Sequence, residues 1–210
     1  MDRLDDVLGT VAPLLKRADR VLASAGAPPD HEIWPALRRV RLLPWDAVQA
    51  VAALRPDDLT EAAPELRDDA RSCADVADSL PRPGVWTGDA ADAYEQARKR
   101  TAAHLSGGAD SLDERLEATA DLADALIGWM RETRGGLAAA LAEVMTSAEA
   151  LSLSLSGFAD ADAVADPPAA WEVDAAADVA TRVLETVADS YDVVRELIAG
   201  SAPLTTPSRL

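Results

Sequence analysis

The sequence predicts an all-α protein: an elongated antiparallel helical bundle built on a helical hairpin that turns at Trp86-Thr87-Gly88. Three observations predict it. Apolar residues make up 49% of the chain but aromatics only 4%, so the core must be assembled from Ala, Leu and Val. Such small side chains let helices approach closely and suit long helix packings. Four segments carry apolar residues at alternating spacings of four and three, the signature of one helix face. No stretch alternates with the period of two that a half-buried strand requires.

The first segment runs Leu4, Leu8, Val11, Leu15, Ala18, Leu22, Ala25. Pro13 lies inside it and predicts a kink or a break, since proline lacks the N–H that a helix interior uses. Residues 26 to 56 differ in composition, with two Trp, five Pro and the local basic cluster Arg38, Arg39 and Arg41. They read as two short helices, Asp30 to Val40 and Trp45 to Leu54, separated at Pro44. Asp46 and Asp57 sit where helix starts favour a carboxylate. The second periodic segment is Leu59, Ala63, Leu66, Ala70, Cys73, Ala77, Leu80. Asp57 or Asp58 is placed to cap it, and Pro81 and Pro83 end it.

The third segment is the longest, from Leu105 to Leu151, and no charged residue falls on its apolar positions. As one helix it would extend roughly 70 Å. Gly107-Gly108 and Gly135-Gly136 are its expected weak points, because each glycine costs about 1 kcal/mol relative to alanine. The fourth segment runs Val173, Ala177, Ala180, Leu184, Val187, Tyr191, Val194, Ile198. The resulting division is an N-terminal helical extension over 1–56, a hairpin over 57–156 and an acidic, proline-ended linker over 157–170. A C-terminal helix packing back over 171–200 and a flexible tail over 201–210 complete it.

Between the second and third segments, Pro81-Arg82-Pro83-Gly84 cannot continue a helix, and Asp89 can begin one. Trp86-Thr87-Gly88 therefore sits in a turn that joins two amphipathic helices. Gly88 permits a backbone conformation, or a close approach, that a Cβ would oppose. Trp86 is the one large side chain nearby and is expected to cover the open end of the Ala-rich hairpin.

Composition bounds the function. A formal net charge of −17 repels phosphates and argues against general nucleic-acid binding and against docking on anionic membrane. No stretch of about 18 uncharged apolar residues is present, so no membrane span is expected. The opening Met1-Asp2-Arg3-Leu4-Asp5-Asp6 is acidic and does not resemble a secretory signal peptide. The single cysteine, Cys73, excludes an intrachain disulfide and falls on an apolar seam, as a buried structural cysteine would. His31 and His104 lie in separate elements, so a Cys-His nucleophile pair is not indicated. Asp160, Asp162 and Asp166 lack the glycine and distal glutamate of a calcium loop and read as a solvated linker. No phosphate-cradling glycine loop occurs. The expectation is a protein with no catalytic residues, no cofactor and no metal. One further surface is singled out: Trp34, Arg38, Arg39, Arg41 and Trp45 combine residue types that anchor interfaces. The alternative is that the two indoles cap one end of the bundle and the arginines neutralise nearby acids. Trp129 and Trp171 read as helix-packing residues.

The turn and the start of the next helix, Trp86-Thr87-Gly88-Asp89-Ala90-Ala91-Asp92-Ala93-Tyr94, resemble the WXG (ESAT-like) family of helical hairpins handled by type VII secretion. The likeness covers roughly residues 57 to 133. The helical regions around it are reminiscent of the longer PPE-type substrates of that system. The resemblance implies a four-helix bundle formed with a second copy or with another helical protein, and export by a secretory ATPase. It assigns Trp86 and Gly88 to the secretion motif. In the family, a Tyr-x-x-x-Asp/Glu in the partner completes the signal. Here Tyr94 and Tyr191 are followed four residues on by Arg98 and Arg195. The implied location is the cytoplasm before export, and then the exterior without a cleaved leader. Three roles stay open: an exported substrate or co-secreted partner, a cytoplasmic chaperone or targeting partner for a separately exported toxin, and a plain helical scaffold.

Overall fold

The computed structural model describes residues 2–159 and 167–205, and among them every regular element is helical. The elements are α1 (Arg3–Ala25), α2 (Ile33–Val40), α3 (Pro44–Ala52), α4 (Ala62–Ser79), α5 (Asp89–Leu105), α6 (Leu112–Met145), α7 (Ala148–Ala159) and α8 (Ala170–Gly200). Short 3-10 turns cover Pro56–Leu59 and Ala202–Thr205.

Local sequence explains most boundaries. Asp2 caps α1 by accepting the Leu4 N–H at 3.0 Å. Pro13 is carried inside α1 without breaking it, and the helix ends at Gly26, whose φ is +74°. Pro44 is the first residue of α3 and not merely a separator, as its fixed φ favours. Asp57 and Asp58 lie in the 3-10 turn, and Glu61 stands at the start of α4, so neither aspartate caps that helix.

The long third segment is not one helix. It breaks at Ser106–Ser111, where Gly107 takes φ +96°, and again at Thr146-Ser147. The break at Gly107 is stabilised by side chains. The Ser111 hydroxyl bonds Asp113, and the Ser106 hydroxyl bonds the other oxygen of the same carboxylate. Gly135-Gly136, by contrast, continue through the middle of α6. Buried neighbours on both sides, Thr133, Arg134, Leu137 and Ala138, hold that stretch helical by packing despite the glycine cost.

The chain forms two compact units. Unit 1 comprises residues 1–54 and 129–195, and unit 2 comprises 55–128 and 196–210. This differs from the division read along the sequence. The first 54 residues are not an appendage, because α1, α2 and α3 share one core with α7 and parts of α6 and α8. That core is made of buried Leu, Val, Ile and Ala, including Leu4, Leu15, Ile33, Leu141, Leu153 and Leu184. On α8 the buried positions Ala176, Ala177, Val179, Ala180, Val183 and Leu184 leave little room between helices, in keeping with the small-residue composition.

Unit 1 is also tied by buried charge. The Arg134 side chain on α6 is 6% exposed and holds Asp2 at 2.5 Å and Asp5 at 2.9 Å. It donates as well to the carbonyls of Ala52 (2.7 Å) and Leu54 (3.3 Å) at the end of α3. One guanidinium thus joins the start of α1 to the last turn of α3, where a cation suits the helix dipole. A second pair, Arg17–Glu172 at 2.7 Å, links α1 to the first turn of α8. Glu172 also accepts the Ala169 N–H.

Unit 2 is held differently. In α4 the buried residues are Ala63, Ala70 and Ala77, and in α5 Ala91. Arg67 of α4 reaches three carboxylates of α6: Asp121 at 2.8 Å, Asp124 at 2.9 Å and Glu117 at 3.5 Å. Of the expected C-terminal tail, Ala202–Thr205 forms a 3-10 turn whose Leu204 carbonyl accepts from Arg115 at 2.8 Å. Residues 206–210 and the acidic positions Asp160, Asp162 and Asp166 lie outside the described residues.

Candidate functional site

The hairpin turn occupies residues 80–88 in unit 2, between α4 and α5. Leu80 leaves the helical region at ψ 123°, as the residue before a proline must. Gly84, with φ +64°, allows the reversal in which the Trp86 N–H bonds the Pro83 carbonyl at 3.3 Å. Gly88 opens α5, and its carbonyl accepts from the N–H groups of Ala91 and Asp92. Its φ of +98° with ψ 179° belongs to a region that is essentially glycine's alone. No atom lies within 4 Å of where a Cβ would stand, so backbone conformation, not close approach, is the reason for glycine. Asp89 and Asp92 fall in the first turn of α5, where negative charge is favoured.

Trp86 does not plug the hairpin. It is 50% exposed, and the adjacent Val85 is fully exposed. Its ring partner is Tyr94, one turn into α5, with centroids 5.8 Å apart and planes tilted by 46°. The Tyr94 hydroxyl donates to the Pro81 carbonyl at 2.8 Å. Tyr94 therefore pins the proline stretch with its oxygen and braces the indole with its ring. The residues the hairpin helices bury are alanines, three on α4 and Ala91 on α5. The tip Val85-Trp86 is left as an apolar projection on a fixed turn. Beside it on α5, Glu95 binds Arg98 at 2.7 Å, and that guanidinium holds the carboxyl below its usual range.

At the second predicted surface the indoles and the arginines are engaged differently. Trp34 and Trp45 are partly buried against the unit 1 core. Trp34 Nε1 donates to the Pro28 carbonyl at 2.7 Å, and Lys16 lies 4.9 Å above the Trp45 ring. Arg39 reaches across to α8 and pairs with Asp189 (2.9 Å) and Asp192 (2.5 Å), which raise its pKa. Arg38 and Arg41 remain exposed, and Arg41 takes the left-handed conformation that ends α2. Of the other two tryptophans, Trp129 donates to the Ser190 carbonyl at 2.8 Å, as a packing residue would. Trp171 is half exposed, which the packing expectation missed.

Several groupings had no signal in the sequence. Asp19 on α1 accepts the Trp45 N–H at 3.3 Å, capping α3 from a different helix. Burial pushes its carboxyl up to about 6, against the opposing effect of that hydrogen bond. His31 precedes α2 and accepts the Ile33 N–H on Nδ1 at 3.1 Å. Nε2 therefore carries the proton and faces Asp178 at 3.2 Å. Both ring nitrogens are engaged in the fold. The pair borders a shallow recess of about 420 Å³ in unit 1. Cys73 and His104 lie in unit 2.

Among the described residues no group of three or more His, Cys, Asp or Glu is arranged to hold a metal ion. Among them, too, no single helix is long and apolar enough to cross a membrane. Leu112–Met145 and Ala148–Leu155 reach that length and apolarity together, across a 65° bend. No family model, curated protein or solved structure matches the chain. What its architecture defines is an all-α protein with a projecting W-x-G hairpin tip.

Proposed function

We propose that this chain is a non-enzymatic, WXG-like protein of type VII secretion, exported as a substrate or alongside a partner, that acts by helix-to-helix protein recognition. The observation that carries the reading is the hairpin tip. Trp86 is half in water, braced by Tyr94, and set on a turn whose shape depends on Gly88. An indole held rigid and exposed suits contact with another protein better than it suits core packing. The partner is another helical protein or a second copy of the chain, with a secretory ATPase reading the motif.

A second reading is a chaperone or targeting partner for a toxin exported separately. It draws on the arginines that stand where an acidic residue would complete the export signal. Arg98 pairs with Glu95, and Arg195 with Asp192 at 3.1 Å. In either reading the missing element belongs to the partner.

The test is the amount of the protein in culture supernatant of its native host, with and without the secretory ATPase. The expected result is ATPase-dependent appearance, abolished by Trp86→Ala while far-UV circular dichroism is unchanged. Half-burial and one aromatic contact limit the stability cost of that change to about 2 kcal/mol. Lost export with retained helicity therefore reports recognition. Retention in the cytoplasm regardless of the ATPase would overturn the export reading and leave the chaperone or scaffold role.

A further inference from the structure

No further inference is drawn: the strongest candidate, the recess of unit 1 between the His31 loop and α8, is an acidic cluster (Asp30, Glu32, Asp178, Glu185) whose His31 and buried Thr181 already have partners within the fold, so nothing in it points to a ligand.

Discussion

Two side chains in unit 1 carry charge where the sequence marked nothing unusual. Burial of Asp19 raises its carboxyl from 3.8 to about 6. The folded state therefore holds the proton more tightly than the unfolded chain does. The associated stability is fully present below pH 3.8 and is lost as pH rises through about 6, amounting to roughly 3 kcal/mol. The attraction of the α3 N-terminus for the carboxylate, about 0.3–1 kcal/mol, is too small to reverse the sign. Asp19→Asn keeps an oxygen for the Trp45 N–H and removes the charge. It should raise the urea midpoint above pH 6 and leave it unchanged near pH 4, and an equal effect at both would refute the assignment to burial. Arg134 acts in the opposite sense. Its carboxylate partners are 39% and 45% exposed, so removing the guanidinium returns them to water at moderate cost. The α3 carbonyls lose a charged donor outright. Arg134→Met should lower stability by about 2–4 kcal/mol by chemical denaturation. A change under about 0.5 kcal/mol would mean that the guanidinium does not tie α1 to α3.

Among the elements, α6 shows where helix rules were legible and where they were not. Its start reflects Gly107 and the Ser111–Asp113 hydrogen bonds, all local features. Its continuity through Gly135-Gly136 is not a matter of propensity. Both glycines are exposed and helical, and neither has an atom within 4 Å of an added Cβ. Gly135→Ala and Gly136→Ala should each stabilise by about 0.5–1 kcal/mol, seen as a rise in melting temperature. Destabilisation by either would show that the glycine is kept for a surface approached by another backbone. In the hairpin, too, only part was local. Its turn was readable from Pro81, Pro83 and Gly88, but the exposure of Trp86 depended on how Tyr94 meets the proline stretch. Tyr94 was visible as part of a motif and not as a brace.

Over the whole molecule, the large fully buried side chains are concentrated in unit 1, among them Leu4, Leu15, Ile33, Leu137, Leu184 and Val48. The hairpin of unit 2 buries alanines, which remove far less apolar surface from water. The two units should therefore open at different free energies. Amide hydrogen exchange measured by mass spectrometry is expected to be faster across α4 and α5 than across α1 and α3. Uniform protection over both sets would mean that the chain unfolds as one cooperative block.

The sequence by itself determined the all-helical class, most helix ends and the position of the turn. Those depend on short-range effects: apolar period, proline's missing N–H and glycine's access to positive φ. The tertiary structure alone decided that the first 54 residues share a core with 129–195, and that Trp34 and Trp45 pack while Trp86 projects. It alone gave Arg134 its partners. Arg134 meets Asp2 across 132 residues and Ala52 across 82, and pairings over such distances are chosen by packing of the whole chain, not by any pattern within one helix.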